Sequence, residues 1–386
     1  ENSVAQIMRE NCVVCHNPSG IGPFSLQSYD EVRRRARQIS EVTESHYMPP
    51  WKPEEGYGPK LLGERRLSDE QIQMLRNWHA SGMEAGDLSN IPSSSAIDTD
   101  WALGEPDLVI TLPEAYELVA EGEDVYRNFV ISIPIEETKH VRAFELQPQT
   151  RLAIHHALLM IDKTGRSRER DEEEPGPGFG GMGIGSSEPP NGHILGWTPG
   201  QAPYEAYPGT AWEMSPKHEL VLQLHLLPTG KAEKINPRLG FYFSDEPPTL
   251  AAHVFQLRKY SIDIPAGEAN YLVESSLEIS ADMKVVGVYP HAHFIGKNIE
   301  IFATLPNGEK LPLLRIRDWD FNWQGDYRFE EPVSIRRGSK LHMAYIFDNS
   351  ENNPRNPSSP PRRVTSGWRS IDEMAEAMIQ VVPDDP

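Results

Sequence analysis

Leu220-Val221-Leu222-Gln223-Leu224-His225-Leu226-Leu227 is an apolar run closed by Pro228 and Gly230. Similar short runs occur at Leu108–Leu112, Asn128–Ile133, Arg238–Phe243 and Lys284–Tyr289, parted by Gly, Pro, Asn or Asp. Branched and aromatic residues in short runs between turn formers read as strands, and many such runs without intervening helices predict antiparallel β-sandwiches. Nearly 290 residues have this character, too many for one sandwich of about 100 residues, so two are expected, meeting around Phe255 to Ile264. The acidic, glycine-rich stretch Glu169–Gly192 reads as a long surface loop within the first.

The 386 residues suggest two or three domains at roughly 150 residues each. Lys and Arg total 37 against 57 Asp and Glu, a net charge of −20, and no basic patch stands out. A phosphate backbone would be repelled, so nucleic acid is not an expected partner. No run approaches the roughly 18 apolar residues of a membrane span. The sequence opens at Glu1, which reads as a processed end after a secretion signal.

The chain's two cysteines lie in Cys12-Val13-Val14-Cys15-His16. Cys-x-x-Cys-His is the attachment pattern of a c-type haem, in which both sulfurs bond the macrocycle and the next imidazole becomes the proximal iron ligand. The competing readings are a thioredoxin-like redox pair or half a zinc site, but there is no second Cys pair and no βαβ pattern. Val32, Ala36, Ile39 and Val42 form one face of a helix over Tyr29–Ser45. In Tyr47-Met48-Pro49-Pro50-Trp51, Met48 is the candidate distal ligand, with His46 as its rival. A last helix starts at Ser68 with a capping box to Gln71 and stops at Gly82. The expected organisation is an all-α, cytochrome c-like haem domain over 1–90, a linker over 91–100, and β-sandwiches over 101–258 and 259–386. Covalent haem attachment outside the cytoplasm makes the location periplasmic or extracellular.

Histidines concentrate in the β region. In Pro290-His291-Ala292-His293 the alternation of an extended strand puts both imidazoles on one face, where they can share a metal. His155 and His156 are adjacent and therefore point to opposite faces unless a bulge or strong twist re-aims one ring. His225 stands alone in its strand. His140, His193, His218, His253 and His342 read as structural or surface residues.

Taken in order, His155-His156, Leu222-Gln223-Leu224-His225, His291-Ala292-His293 and Ser370-Ile371-Asp372-Glu373-Met374 resemble the copper type II, ascorbate-dependent monooxygenases, a family that includes peptidylglycine α-hydroxylating and dopamine β-monooxygenases. The resemblance runs from about Asp100 to the C-terminus. It implies two jelly-roll-like sandwiches, each holding one copper, separated by an open solvent cleft. It also implies an electron-storing site of His155, His156 and His225, and a catalytic site of His291, His293 and Met374 where O2 and substrate react. Imidazole suits both copper oxidation states and a thioether favours Cu(I), whereas zinc has little use for methionine.

The sequence departs from the family in lacking any cysteine for a bracing disulfide. Where the peptide hydroxylase has an arginine, an asparagine and a tyrosine for its substrate's carboxylate, this sequence has Tyr289, Glu376 and Met378, so an anionic peptide terminus is not the expected substrate. The expected activity is hydroxylation of a C–H bond in a small organic substrate with O2. Electrons would come from a periplasmic donor through one covalent haem c to two coppers. The alternatives are a non-catalytic haem-copper electron carrier or extracellular scaffold, and a haem protein whose β domains bind carbohydrate or another protein.

Overall fold

The computed structural model describes residues 3–18, 20–86, 101–150, 152–183 and 185–384, so the expected linker over 91–100 lies outside the described residues. The chain divides into two units, one of residues 1–51 and 63–105, the other of 52–62 and 106–386.

The first unit holds three helices, α1 (Val4–Asn11), α2 (Tyr29–Glu44) and α3 (Asp69–Ala80). Reciprocal capping boxes start two of them, Ser28 with Glu31 at α2 and Ser68 with Gln71 at α3, which satisfies amide groups that have no intrahelical partner. Ile7 and Met8 of α1, Val32 and Ile39 of α2, Leu75 of α3, and Leu26 and Leu67 from the connections form one apolar core, with Cys12 and Phe24 packed against it.

The second unit is β-rich. Its first sandwich pairs a sheet containing Leu108–Thr111, Arg238–Phe243 and Lys139–Gln147 with one containing Val125–Ser132, Glu219–Leu226 and Ile154–Asp162, all antiparallel. Phe144, Leu239 and Phe241 of one sheet share a core with Phe129, Leu159, Leu220, Leu222 and Leu224 of the other. Alternation along Glu219–Leu226 therefore turns Val221, Gln223 and His225 to the outer face. The second sandwich has two four-stranded sheets, one joining His253–Arg258, Glu376–Pro383, Met283–His291 and Tyr327–Ile335, the other Tyr271–Glu278, Lys340–Phe347, Gly296–Thr304 and Lys310–Ile316.

Two expectations need correcting. The divide at 258/259 falls too late, because His253–Arg258 pairs along its whole length with Glu376–Met378 and the residues after them in the second sandwich. The change of sandwich lies between Phe243 and His253. Nor is Glu169–Gly192 a plain surface loop. Helix α4 (Arg166–Glu173) occupies its start, and Phe179–Gly180 adds to the sheet beside Asn128. Local polar groups build this order: Asp162 accepts from the Ser167 and Thr164 amides, and Glu174 accepts from the Gly180 amide and Arg127. Acidic composition concealed these anchoring roles.

The segment Lys52–Leu62 is part of the second unit. It bridges through Pro53 to Ile316 and through Leu61 to Phe329, and Tyr57 donates to Glu300 at 2.7 Å. Among the described residues no helix is long and apolar enough to cross a membrane.

Candidate functional site

The adjacent pair His155 and His156 sits at a fault in the strand ladder. His225 is opposite His156, but the next residue, Leu226, is opposite Ile154, so His155 is an extra, unmatched residue. Such a bulge turns a side chain out of strict alternation. Here it gathers three rings that the strand period alone would separate. Ring centroids lie 5.3 Å apart for His155 and His156, 5.0 Å for His155 and His225, and 4.8 Å for His156 and His225. One candidate ligand atom from each lies within 4.8 Å of the others, and all three residues are buried.

Hydrogen bonds fix which nitrogen His225, His291 and His293 each have free. Asp124 can only accept, so His225 Nε2 donates to its carboxylate at 2.8 Å and Nδ1 carries the lone pair. His291 Nδ1 faces Gln324 Oε1 at 2.7 Å, and His293 Nδ1 faces the Asp372 carbonyl at 3.1 Å. Each therefore donates from Nδ1 and presents Nε2 as a base. His225 Nδ1, His291 Nε2 and His293 Nε2 are all buried without a hydrogen-bond partner. Buried nitrogens are rarely left unmatched, and a histidine that donates through one nitrogen while presenting the other is the usual arrangement of a metal ligand. Burial lowers the pKa of every ring in the set, to about 3 for His155 and for His293, keeping them unprotonated near neutrality. Asp124 is held down to about 2, mainly by the hydrogen bond from His225.

The second group is assembled by a buried carboxylate. Glu373 Oε2 accepts from the His293 amide at 2.9 Å and the Met374 amide at 3.1 Å, while Oε1 accepts from the Ile295 amide at 2.9 Å. Burial pushes its pKa up to about 8 despite those amides. The result ties the His293 turn to the backbone of Met374. The His291 and His293 rings are 5.1 Å apart, and Met374 shares a cavity wall with His291.

The two groups adjoin, in contrast to the open gap implied by the family resemblance. The His156 and His291 rings are 6.1 Å apart, and buried Phe321 stacks on His155 at 4.4 Å while lying 5.8 Å from the His293 ring. A single loop, 319–325, serves both sides. Trp319 Nε1 donates to the His293 carbonyl, Gln324 accepts from His291, and the Gln324 carbonyl accepts from Thr198 of the first sandwich. A cavity of about 1390 Å³ opens beside the rings, with His156, His291, Met374, Tyr289, Glu376 and Met378 in its wall.

In the first unit, Cys12, Cys15 and His16 occupy one turn after α1, and both thiols are free. His16 Nδ1 donates to the Phe24 carbonyl at 3.1 Å, which leaves Nε2 as the base. A Cβ on Gly20 would lie 2.2 Å from the Cys15 carbonyl oxygen, and one on Gly22 would lie 2.6 Å from His16 Nδ1, so this turn requires glycine at both positions. Met48 is half-buried in a separate turn of the same unit, where its amide donates to the Val42 carbonyl at 3.0 Å.

Sequence reading missed Asp124, Phe321, Gln324 and the amide-binding role of Glu373. Their local contexts carry no recognisable spacing. Of the histidines taken as structural or surface, His193 is completely buried, with Nδ1 3.0 Å from the Pro190 carbonyl.

No protein-family model and no curated protein matches the chain. Among solved structures, the chain is similar to the STIV MCP at 10% identity, with 71% of this chain and 96% of that one covered and a TM-score of 0.30. The major capsid protein P2 from bacteriophage PM2 shares 8% identity over 72% of this chain and 97% of its own, with a TM-score of 0.27. At these scores the likeness carries no argument about what the chain does.

Proposed function

We propose that the protein is a copper-dependent monooxygenase that hydroxylates a C–H bond of an organic substrate with O2 and receives electrons through a c-type haem on the same chain. The observation that carries this reading is the joined set of five buried imidazoles, of which His291 stands with Met374 in the wall of a large cavity. The donor chemistry fits two coppers: three imidazoles at His155, His156 and His225, and two imidazoles with a thioether at His291, His293 and Met374. Copper, when bound, supplies one-electron redox chemistry and the capacity to activate O2.

The protein groups have separable roles. Asp124, Gln324 and the Asp372 carbonyl hold His225, His291 and His293 with a basic nitrogen presented. Phe321 fills the space between the two groups and keeps water from it. Glu373 fixes the Met374 backbone beside the His293 turn. In the first unit, Cys12 and Cys15 would attach one haem, with His16 and Met48 as its axial ligands. Covalent attachment to the same chain replaces a bimolecular encounter with a high effective concentration of reductant. The haem-attachment pattern supports a periplasmic or extracellular location, with an external electron donor as partner.

The test is metal and haem analysis, with electron paramagnetic resonance, on protein matured outside the cytoplasm. Two coppers and one haem per chain, with oxygen uptake coupled to a substrate, are expected. Two coppers with reversible potentials and no coupled uptake would instead identify an electron carrier, and absence of copper would defeat both readings. The haem's part is isolated by replacing Cys12 and Cys15 with Ser in the full chain. Removing residues 1–87 is unsuitable because Lys52–Leu62 belongs to the β-rich unit.

A further inference from the structure

We propose that the cavity beside His291 and Met374 takes an uncharged, elongated apolar molecule; this deepens the monooxygenase reading by naming its substrate class. At about 1390 Å³ the space exceeds the roughly 300–1,000 Å³ usual for small-molecule pockets, so it has room for a long chain. Its wall includes Met160, Met182, Met283, Met378, Phe255 and Trp368. With Met374, five of the chain's 11 methionines line this one space. Unbranched thioether side chains re-pack around apolar ligands of varied shape.

The charges in the wall decide against an ionised ligand. Its four charged side chains, apart from histidine, are Lys163, Glu188, Arg258 and Glu376, and they neutralise one another in pairs. Lys163 Nζ lies 2.7 Å from Glu188 Oε1, and Arg258 Nε lies 3.1 Å from Glu376 Oε2. The buried carboxylate of Glu376 also accepts from Gln256. A carboxylate or ammonium entering here would lose hydration and either go unpaired or break an existing pair. Trp368, 51% exposed, lies under the Arg258 guanidinium and marks the mouth, while His291 and Met374 mark the reactive wall. An apolar chain entering past Trp368 meets methionine and aromatic surface and brings a C–H bond to that wall.

The experiment uses the metal-free full chain, with dodecanol, dodecanoate and dodecylammonium each titrated below its aggregation concentration and followed by calorimetry. Dodecanol should bind, and each ionised analogue should bind at least tenfold more weakly. Met378→Arg should weaken dodecanol at least tenfold, whereas Met378→Leu should keep it within about threefold, with equal thermal midpoints showing that both variants fold. Equal or tighter binding of an ionised analogue, no binding of dodecanol to folded protein, or indifference to Met378→Arg would each overturn the proposal. Copper uptake is measured separately. Dodecanol binding without copper uptake would sink the monooxygenase reading and leave the ligand class standing, and copper uptake without dodecanol binding would do the reverse.

Discussion

The two histidine groups are built in different ways. His155, His156 and His225 come from neighbouring strands, brought together by a ladder fault and locked from outside by Asp124. His291, His293 and Met374 come from a strand end and two loops, held by backbone contacts to a buried carboxylate, and they front a cavity. The first is a rigid, all-nitrogen site within a sheet. The second mixes nitrogen with sulfur and has space before it. A fixed environment that suits two oxidation states stores an electron well, whereas space for a reactant beside a thioether suits oxidation of a substrate. The contrast is consistent with the roles proposed for the two groups.

His225→Ala should have the largest effect on this contrast. It removes one of three donors and leaves Asp124 to accept from the Ser370 hydroxyl, so copper should fall from two to one per chain while the signal of the second site persists. Loss of both coppers would show that the groups are one unit. Asp124→Asn should weaken copper at the first site alone by about 10–100-fold, the usual penalty for losing a partner that orients a metal-binding imidazole. Competition with a chelator reads this directly, and unchanged affinity would remove Asp124 from the site. Met374→Ile should lower affinity for Cu(I) more than for Cu(II), by about tenfold, because sulfur favours the softer ion. A change in the first site's resonance would contradict the division of roles.

The smallest expected effect on copper, none, concerns His193, a buried imidazole outside both groups. Burial lowers its pKa from 6.5 to about 4, so the unfolded chain protonates this ring at a higher pH than the folded protein does. Its neutral form is favoured fully above pH 6.5, and its own contribution to stability should fall by on the order of 3 kcal/mol between pH 6.5 and 4, beside those of the other buried imidazoles. In metal-free protein, His193→Asn should flatten that part of the urea-midpoint profile without moving copper affinity. An unchanged slope would show that the ring gains its proton without cost.

What could be read in the sequence follows how locally each feature is encoded. Ser68 announces its helix because a capping box needs only four residues, and the helix starts where that signal stands. Arg238–Phe243 is a strand over the expected residues because turn formers bound it. The rings of His291 and His293 are close, as expected, although the strand ends at His291 and His293 lies in the turn that follows. Adjacent His155 and His156 carried a conflict legible in advance, and the bulge resolves it through pairing with a strand some 70 residues away in the chain. Asp124 was invisible because its partner His225 lies 101 residues on, and a single acidic residue before a strand suggests only a turn. The misplaced divide at 258/259 has the same origin: His253–Arg258 shows its membership only through partners near the C-terminus. The adjacency of the two groups was illegible for a further reason, since it depends on Phe321 and Gln324, an unremarkable pair of loop residues.

The ladder fault at His155 also bears on how such a centre arises. A strand lacking this one residue would pair without interruption, keep its inward leucines in register and fold as an ordinary sheet. A single extra residue then suffices to swing a second ring beside the first. In this chain the gathering of the three rings and the plain pairing of the strands differ by that one residue.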